Sequence, residues 1–145
     1  MPAVLDLLRR KGDGVHTVLP TDSVVAAATA MNQHGVGGLV VVDRSGKMVG
    51  MFTERDVLRR VVAAGKDPAT TVVSEVMTTE VLACRPETTL QECASVMTSK
   101  RIRHLPVRDD TGLVGIVTIG DLLAQRVDDQ QATIEYLTSF VYDGR

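Results

Sequence analysis

The apolar positions of this chain trace a pattern that occurs twice. In SVVAAATAM, residues 23–31, Val24, Ala27, Ala28 and Met31 are spaced i, i+3, i+4, i+7, the stripe of an amphipathic helix; in TLQECASVM, residues 89–97, Leu90, Cys93, Ala94 and Met97 hold the same four places. Pro20 precedes the first and Pro86 the second, 66 positions on. The first predicted helix has Asp22 as candidate N-cap and Gly35 just past its end, and the second opens on Thr88-x-x-Gln91, a capping-box spacing. Ser23 and Ser74 also read as helix-start residues. Each helix leads into an apolar run of strand length, LVVVD (39–43) or LPVRD (105–109), then a turn with Gly46 or Gly112, then a second strand, MVGMF (48–52) or LVGIV (113–117). The second turn is one residue shorter, so the offset falls to 65. A further helix follows in each copy, VLRRVVAA running to Gly65, and LLAQRV.

Between strand and helix stand Thr53-Glu-Arg-Asp56 and Thr118-Ile-Gly-Asp121. Taken alone, Thr-x-x-Asp is a helix cap: the hydroxyl accepts from an orphan N–H, and the acidic side chain suits the positive end of the helix dipole. Its return in the same frame, at the carboxyl end of a strand where α/β folds expose ligand-facing loops, favours ligand contact over coincident caps.

The composition of the 145 residues is that of a soluble globular protein, with 44% hydrophobic and 23% charged residues. That length accommodates one compact domain, or two small repeats sharing a core. A net charge of −2 and a pI near 5.9 argue against a general nucleic-acid binder, so any anion site must be local. No apolar run approaches a membrane span, and MPAVLDLLRRKGDG lacks the features of a signal peptide, which predicts a cytoplasmic protein without membrane association. Cys84 and Cys93 are nine positions apart, with no zinc spacing, and read as small buried side chains. His16, His34 and His104 lie on separate segments and complete no catalytic set with a nucleophile; the first two read as surface or packing residues.

The duplicated order of short strand, Pro, helix, strand, turn, strand, Thr-x-x-Asp and helix resembles a tandem pair of CBS domains, the Bateman module. The resemblance rests on LVVVDRSGKMVGMFTERDVL and RHLPVRDDTGLVGIVTIGDLL, with EVMT (75–78) as the entry to the second copy. It implies an α/β (α+β) fold of two β-α-β-β-α repeats packed about a pseudo-two-fold axis. The organisation is then an N-terminal helical segment over 1–12, repeats over 13–72 and 73–127, and a C-terminal helical tail over 128–145. The resemblance further implies two clefts that take adenosine derivatives, AMP, ADP, ATP, NAD(H) or S-adenosylmethionine, but no uniform activity; with no catalytic set in the sequence, the expectation is a protein that is not an enzyme. An ionised aspartate accepts both hydroxyls of a ribose, so Asp56 and Asp121 are the ribose candidates, with Thr53 and Thr118 beside them. Leu39 and Val40 in one copy, and Ile102, Leu105 and Pro106 in the other, are the candidates to flank adenine.

The copies diverge most where Gly35-Val-Gly37-Gly38 falls on Arg101-Ile-Arg103-His104. The cationic run KRIRH is either a solvated lead into a strand or a phosphate clamp, with Arg103 and His104 as donors and Arg55 as a second candidate; Gly120, opposite Arg55, offers nothing. Two unequal sites are expected. Tyr136, Phe140 and Tyr142, with Ile134, Leu137 and Val141, make the tail an apolar helix to be covered, with Val4, Leu5 and Leu8 able to join it. Together with the Ala- and Met-rich stripes of the repeat helices, that predicts a homodimer. The expected function is a regulatory adenine-nucleotide sensor acting on a separate effector protein. The rivals are a ligand-free dimerisation scaffold and a redox protein built on Cys84, which lacks an evident resolving partner.

Overall fold

The computed structural model describes residues 2–12 and 14–130, with side chains as far as Arg126. Residues 131–145, the part of the predicted tail that holds Tyr136 and Phe140, lie outside the described residues. Helix α1 (Val4–Lys11) comes first, then β1 (Thr17–Val18), α2 (Val24–His34), β2 (Gly38–Val42), β3 (Met48–Thr53) and a short α3 (Glu54–Asp56) continued as a π-helical segment (Val57–Val62). The second half holds α4 (Val73–Val76), α5 (Leu90–Lys100), β4 (His104–Asp109), β5 (Gly112–Thr118) and α6 (Ile119–Gln130). In the first sheet β1 runs parallel to β2, and β2 antiparallel to β3. In the second, β4 and β5 are antiparallel, and Cys84 makes a single parallel bridge to Val107, the counterpart of Val18 opposite Val41. Even the irregularity repeats, with a register shift after Val41 and again after Val107. This is the predicted mixed α/β architecture of two repeats.

Both repeat helices start one residue later than their sequence signals indicated, for one reason. Ser23 caps α2, its hydroxyl accepting from Ala26 N at 3.0 Å, while the Asp22 carboxylate accepts from Leu19 N at 2.9 Å and so closes the preceding turn. In the second copy Thr89 caps α5, accepting from Glu92 N at 3.1 Å, and Thr88 accepts from Arg85 N at 3.0 Å. The residue read as cap ties down the loop, and its neighbour caps. At the far end Gly35 is left-handed as expected (φ 64°), and so is its counterpart Arg101 (φ 55°), which carries a side chain in a conformation costing about 1–2 kcal/mol.

The segment predicted as one α-helix to Gly65 widens after Asp56. Ala63 N reaches back five residues to Leu58 O and Lys66 N to Val61 O, both at 2.9 Å. Val57, Val61 and Val62 are β-branched and crowd the preceding turn of an α-helix, and the wider turn relieves that crowding.

Among the described residues two cores form, and the entry helices cross between them. Val73 and Val76 of α4, just ahead of the second repeat, pack with Val24, Ala27, Met31, Leu39 and Phe52 of the first. Val4, Leu7 and Leu8 of α1, ahead of the first repeat, pack with Leu90, Cys93, Met97, Leu105 and Val117 of the second. The docking bonds match: Val4 N donates to Thr88 O and Val73 N to Asp22 O, each at 2.8 Å. Leu8 and Val4 thus serve the second core, while Leu5 stays exposed. The Ala- and Met-bearing stripes, expected to admit a second helix, face these cores instead: Ala27, Met31, Cys93 and Met97 are buried. The apolar side chains left outside include Leu58, Val62, Ile119 and Leu123, on the helices that follow β3 and β5. No helix among the described residues is long and apolar enough to cross a membrane.

Candidate ligand clefts

The first cleft, of about 780 Å³, is assembled from three stretches: Thr53 to Arg60 at the carboxyl end of β3, Thr78 to Leu82 of the linker, and Lys100 to His104 before β4. The cationic run of the second repeat therefore meets the Thr-x-x-Asp motif of the first. Among the lining residues Arg55, Arg59, Arg60, Lys100, Arg101 and Arg103 are basic and Glu54, Asp56 and Glu80 acidic, so the cleft carries a cationic surplus in a mildly acidic chain. Arg55 Nη1 donates to Arg101 O at 2.9 Å, joining the two repeats across it.

The divergent glycines explain how the two repeats come this close. A Cβ on Gly38 would stand 3.1–3.2 Å from the ring atoms of His104, its own counterpart in the second repeat, and one on Gly37 would stand 2.9 Å from Glu54 Oε1. Burial lowers the pKa of His104, opposed by the nearby Glu54 carboxylate and reinforced by Arg103.

Both Thr-x-x-Asp motifs are closed capping boxes. Thr53 N donates to Asp56 Oδ2 (3.1 Å) and Asp56 N to Thr53 Oγ1 (3.3 Å); the second copy shows 2.9 Å and 3.1 Å for the same bonds. What else touches the carboxylates differs. Asp56, only 6% exposed, takes the Thr78 hydroxyl at 3.2 Å on Oδ1 and 3.4 Å on Oδ2, with Arg60 Nε at 3.6 Å. Asp121 instead takes the ammonium of Lys11 at 2.7 Å, and the same ammonium donates to Ile116 O at 2.9 Å. The cleft beside it, about 310 Å³, is lined by Leu7, Arg10, Lys11, Asp121, Ala124 and Gln125.

Of the residues singled out from the sequence, Thr53, Arg55, Asp56, Ile102, Arg103 and His104 meet in the first cleft, and Asp121 lines the second. Leu39, Val40, Leu105 and Pro106 are buried and Thr118 is half-buried; these five line neither cleft. Thr78, Arg59, Arg60 and Lys11 went unnoticed: Thr78 stood inside the quoted EVMT, whereas Lys11 ended a polar run with no signal of its own.

The cysteines are buried, as expected, but not apart. Cys93 is a neighbour of Cys84, and both are free thiols. The neighbouring Cys93, with burial, pushes the Cys84 thiol up, which keeps it a thiol and a poor nucleophile at neutral pH. His16 and His34 stack with ring centroids 3.8 Å apart. No cluster of three His, Cys, Asp or Glu residues suited to a metal occurs among the described residues.

Comparison with known proteins gives these features a family. The CBS-domain family model matches residues 4–63 and 73–128. The chain is 41% identical over 118 residues to the CBS domain-containing protein YhcV of Bacillus subtilis, covering 81% of this chain and 83% of that one. A CBS-domain-containing protein of Agrobacterium tumefaciens superposes with a TM-score of 0.80 at 40% identity, over 86% of this chain and 98% of its own. The CBS-domain pair of protein MJ0100, solved with 5′-methylthioadenosine and S-adenosyl-L-methionine, has a TM-score of 0.79 at 28% identity, over 89% and 98% of the two chains. The chain belongs to the CBS-domain family, as a tandem pair.

Proposed function

We propose that this CBS pair is a regulatory module, not an enzyme, that takes an adenine nucleotide (AMP, ADP, ATP or NAD(H)) into the first cleft and reports its occupancy to a separate effector protein. The observation that carries this is the cationic cleft itself, built from both repeats around Thr53 and Asp56, with a volume in the range of small-molecule sites. The adenosyl compounds bound by the related MJ0100 pair support the ligand class. Asp56 holds the ribose by exchange: a sugar hydroxyl replaces the Thr78 hydroxyl on the carboxylate, one hydroxyl for another, at little net cost. Arg103 and Arg101, with Arg55 opposite, face the phosphate, and Ile102, Val81 and Leu82 offer apolar surface to adenine. A ligand there braces the first repeat's helix start against the linker and the second repeat. The module works as a homodimer that covers the outward Leu58, Val62, Ile119 and Leu123.

One observation favours the scaffold reading instead. Both aspartates are already satisfied within the chain, as caps require. Calorimetry separates the two. Arg103→Ala is expected to weaken AMP about 10- to 100-fold, the loss of a charge-assisted contact of about 1.5–3 kcal/mol, and to leave adenosine unchanged. Equal losses for AMP and adenosine would remove Arg103 from the phosphate, and no binding of any adenine nucleotide would leave the scaffold standing.

A further inference from the structure

The two clefts are related by the repeat, yet their aspartates are served differently, and the difference traces to the length of the entry helix. After Met77 the linker leaves α4, and Thr78 pairs with Met51: Thr78 N donates to Met51 O at 2.8 Å, and its hydroxyl rests on Asp56. In the other half α1 is eight residues long against four for α4 and runs on to Lys11, where Gly12 (φ 92°) ends it with its N–H on Leu8 O. The extra turn places the Lys11 ammonium on both groups that Thr78 serves in the first cleft: the carbonyl of Ile116, the counterpart of Met51, and the carboxylate of Asp121. A neutral hydroxyl on a carboxylate exchanges readily for a sugar hydroxyl. An ammonium at 2.7 Å with a second acceptor does not, because its departure leaves an anion and a carbonyl without their shared donor. Arg55, Arg59 and Arg60 are replaced at the matching places by Gly120, Ala124 and Gln125, so beside the engaged Lys11 the second cleft keeps only Arg10 to draw a phosphate, against six basic residues in the first.

We propose that Lys11 is a built-in occupant of the second cleft and sets the stoichiometry of the module at one nucleoside-bearing ligand per chain. This rests on the nucleotide reading of the first cleft. Without Lys11, Asp121 is free for a ribose, and the reopened site, with Arg10 as its one remaining basic residue, takes an uncharged nucleoside.

The probe is adenosine, titrated by equilibrium dialysis to saturation against the full chain and against Lys11→Met, whose melting curve is recorded first. The expected result is one adenosine per chain for the native protein and two for Lys11→Met, returning to one in Lys11→Met/Asp121→Ala. A second measurement needs no ligand. Acetylation of Lys11 by an N-hydroxysuccinimide ester, followed by peptide mass, is expected to run about two- to five-fold slower in the native chain than in Asp121→Asn, the protection given by a partly exposed ion pair. Two adenosines on the native chain, one on both proteins, or equal acetylation rates would overturn the role of Lys11 alone. Adenosine on neither protein would overturn the nucleotide reading, and the gatekeeping role with it.

Discussion

Gly50 and Gly115 occupy the same place in the two repeats, on β3 and β5, and an alanine at each tests how the entry segments are held. A Cβ on Gly50 would stand 2.7 Å from the backbone oxygen of Thr78 and 2.8 Å from Met77 Sδ. The backbone there cannot yield, because Met51 N donates to Thr78 O at 2.9 Å and Thr78 N to Met51 O at 2.8 Å. Forcing the linker outward breaks both bonds, at about 0.5–1.5 kcal/mol each. Crowding of the Met77 side chain adds about 1–3 kcal/mol and the smaller backbone entropy lost by alanine offsets about 0.5–1 kcal/mol, which brings the expected cost of Gly50→Ala to about 1–5 kcal/mol. A Cβ on Gly115 meets only Leu8 Cδ2 and Cδ1, at 2.8 and 2.9 Å, the free end of a side chain. Turning Leu8 aside costs about 0.5–1.5 kcal/mol, and the smaller backbone entropy lost by alanine offsets about 0.5–1 kcal/mol of it. Gly115→Ala should therefore lie within about 1 kcal/mol of the native protein. Urea unfolding of both variants, with the m-value as a check that the unfolded state is unchanged, measures the contrast. Equal costs for the two, or a larger one for Gly115→Ala, would mean that the Met51–Thr78 bridge does not hold the linker.

Arg101→Gly removes a left-handed side chain worth about 1–2 kcal/mol of strain and adds about 0.5–1 kcal/mol of chain entropy, so it should be neutral to about 1.5 kcal/mol stabilising while weakening AMP; a clear destabilisation by thermal melting would show that the arginine side chain holds the fold. His104 makes stability depend on pH: its pKa in the fold lies below the unfolded value of about 6.5, so the unfolded chain binds the proton first as pH falls. Stability should be full above that value and decline below it until the folded pKa is passed, and His104→Gln should flatten the profile between pH 7 and 5 in urea titrations; an unchanged slope would mean that another group carries it.

The sequence made the repeat legible because each local unit carries its own signal: the helix stripes, the paired strands with their shared turn, and the Thr-x-x-Asp starts. The caps were misplaced by one residue since Asp22 and Thr88 satisfy the cap rule as well as Ser23 and Thr89 do, and only the loop bonds to Leu19 and Arg85 decide between them. LVVV, wholly apolar, carries no alternation to say which side chains meet a cleft, and Leu39 and Val40 are enclosed instead. The meeting of KRIRH with Thr53–Asp56, the crossing of α1 and α4, and the grip of Lys11 on Asp121 depend on partners 46 to 110 positions away. No periodicity records such distances. Thr78 was quoted for its family pattern, yet its bond to Asp56 exists only once the linker is laid along β3.

The crossed entry helices order the assembly of the chain in time. The first repeat gains its last core segment when residues 73–76 emerge, soon after its own strands. The second repeat takes its entry segment from upstream: Val4 to Leu8 is made before the core it joins and has no docking face until β5 is complete at Thr118. At about 5–20 residues per second that apolar helix is without its partner for about 5–20 s of synthesis. Its docking closes a loop of more than a hundred residues, a contact of high order that comes late and slowly, so α1 is a segment exposed to wrong partners while the protein is being made.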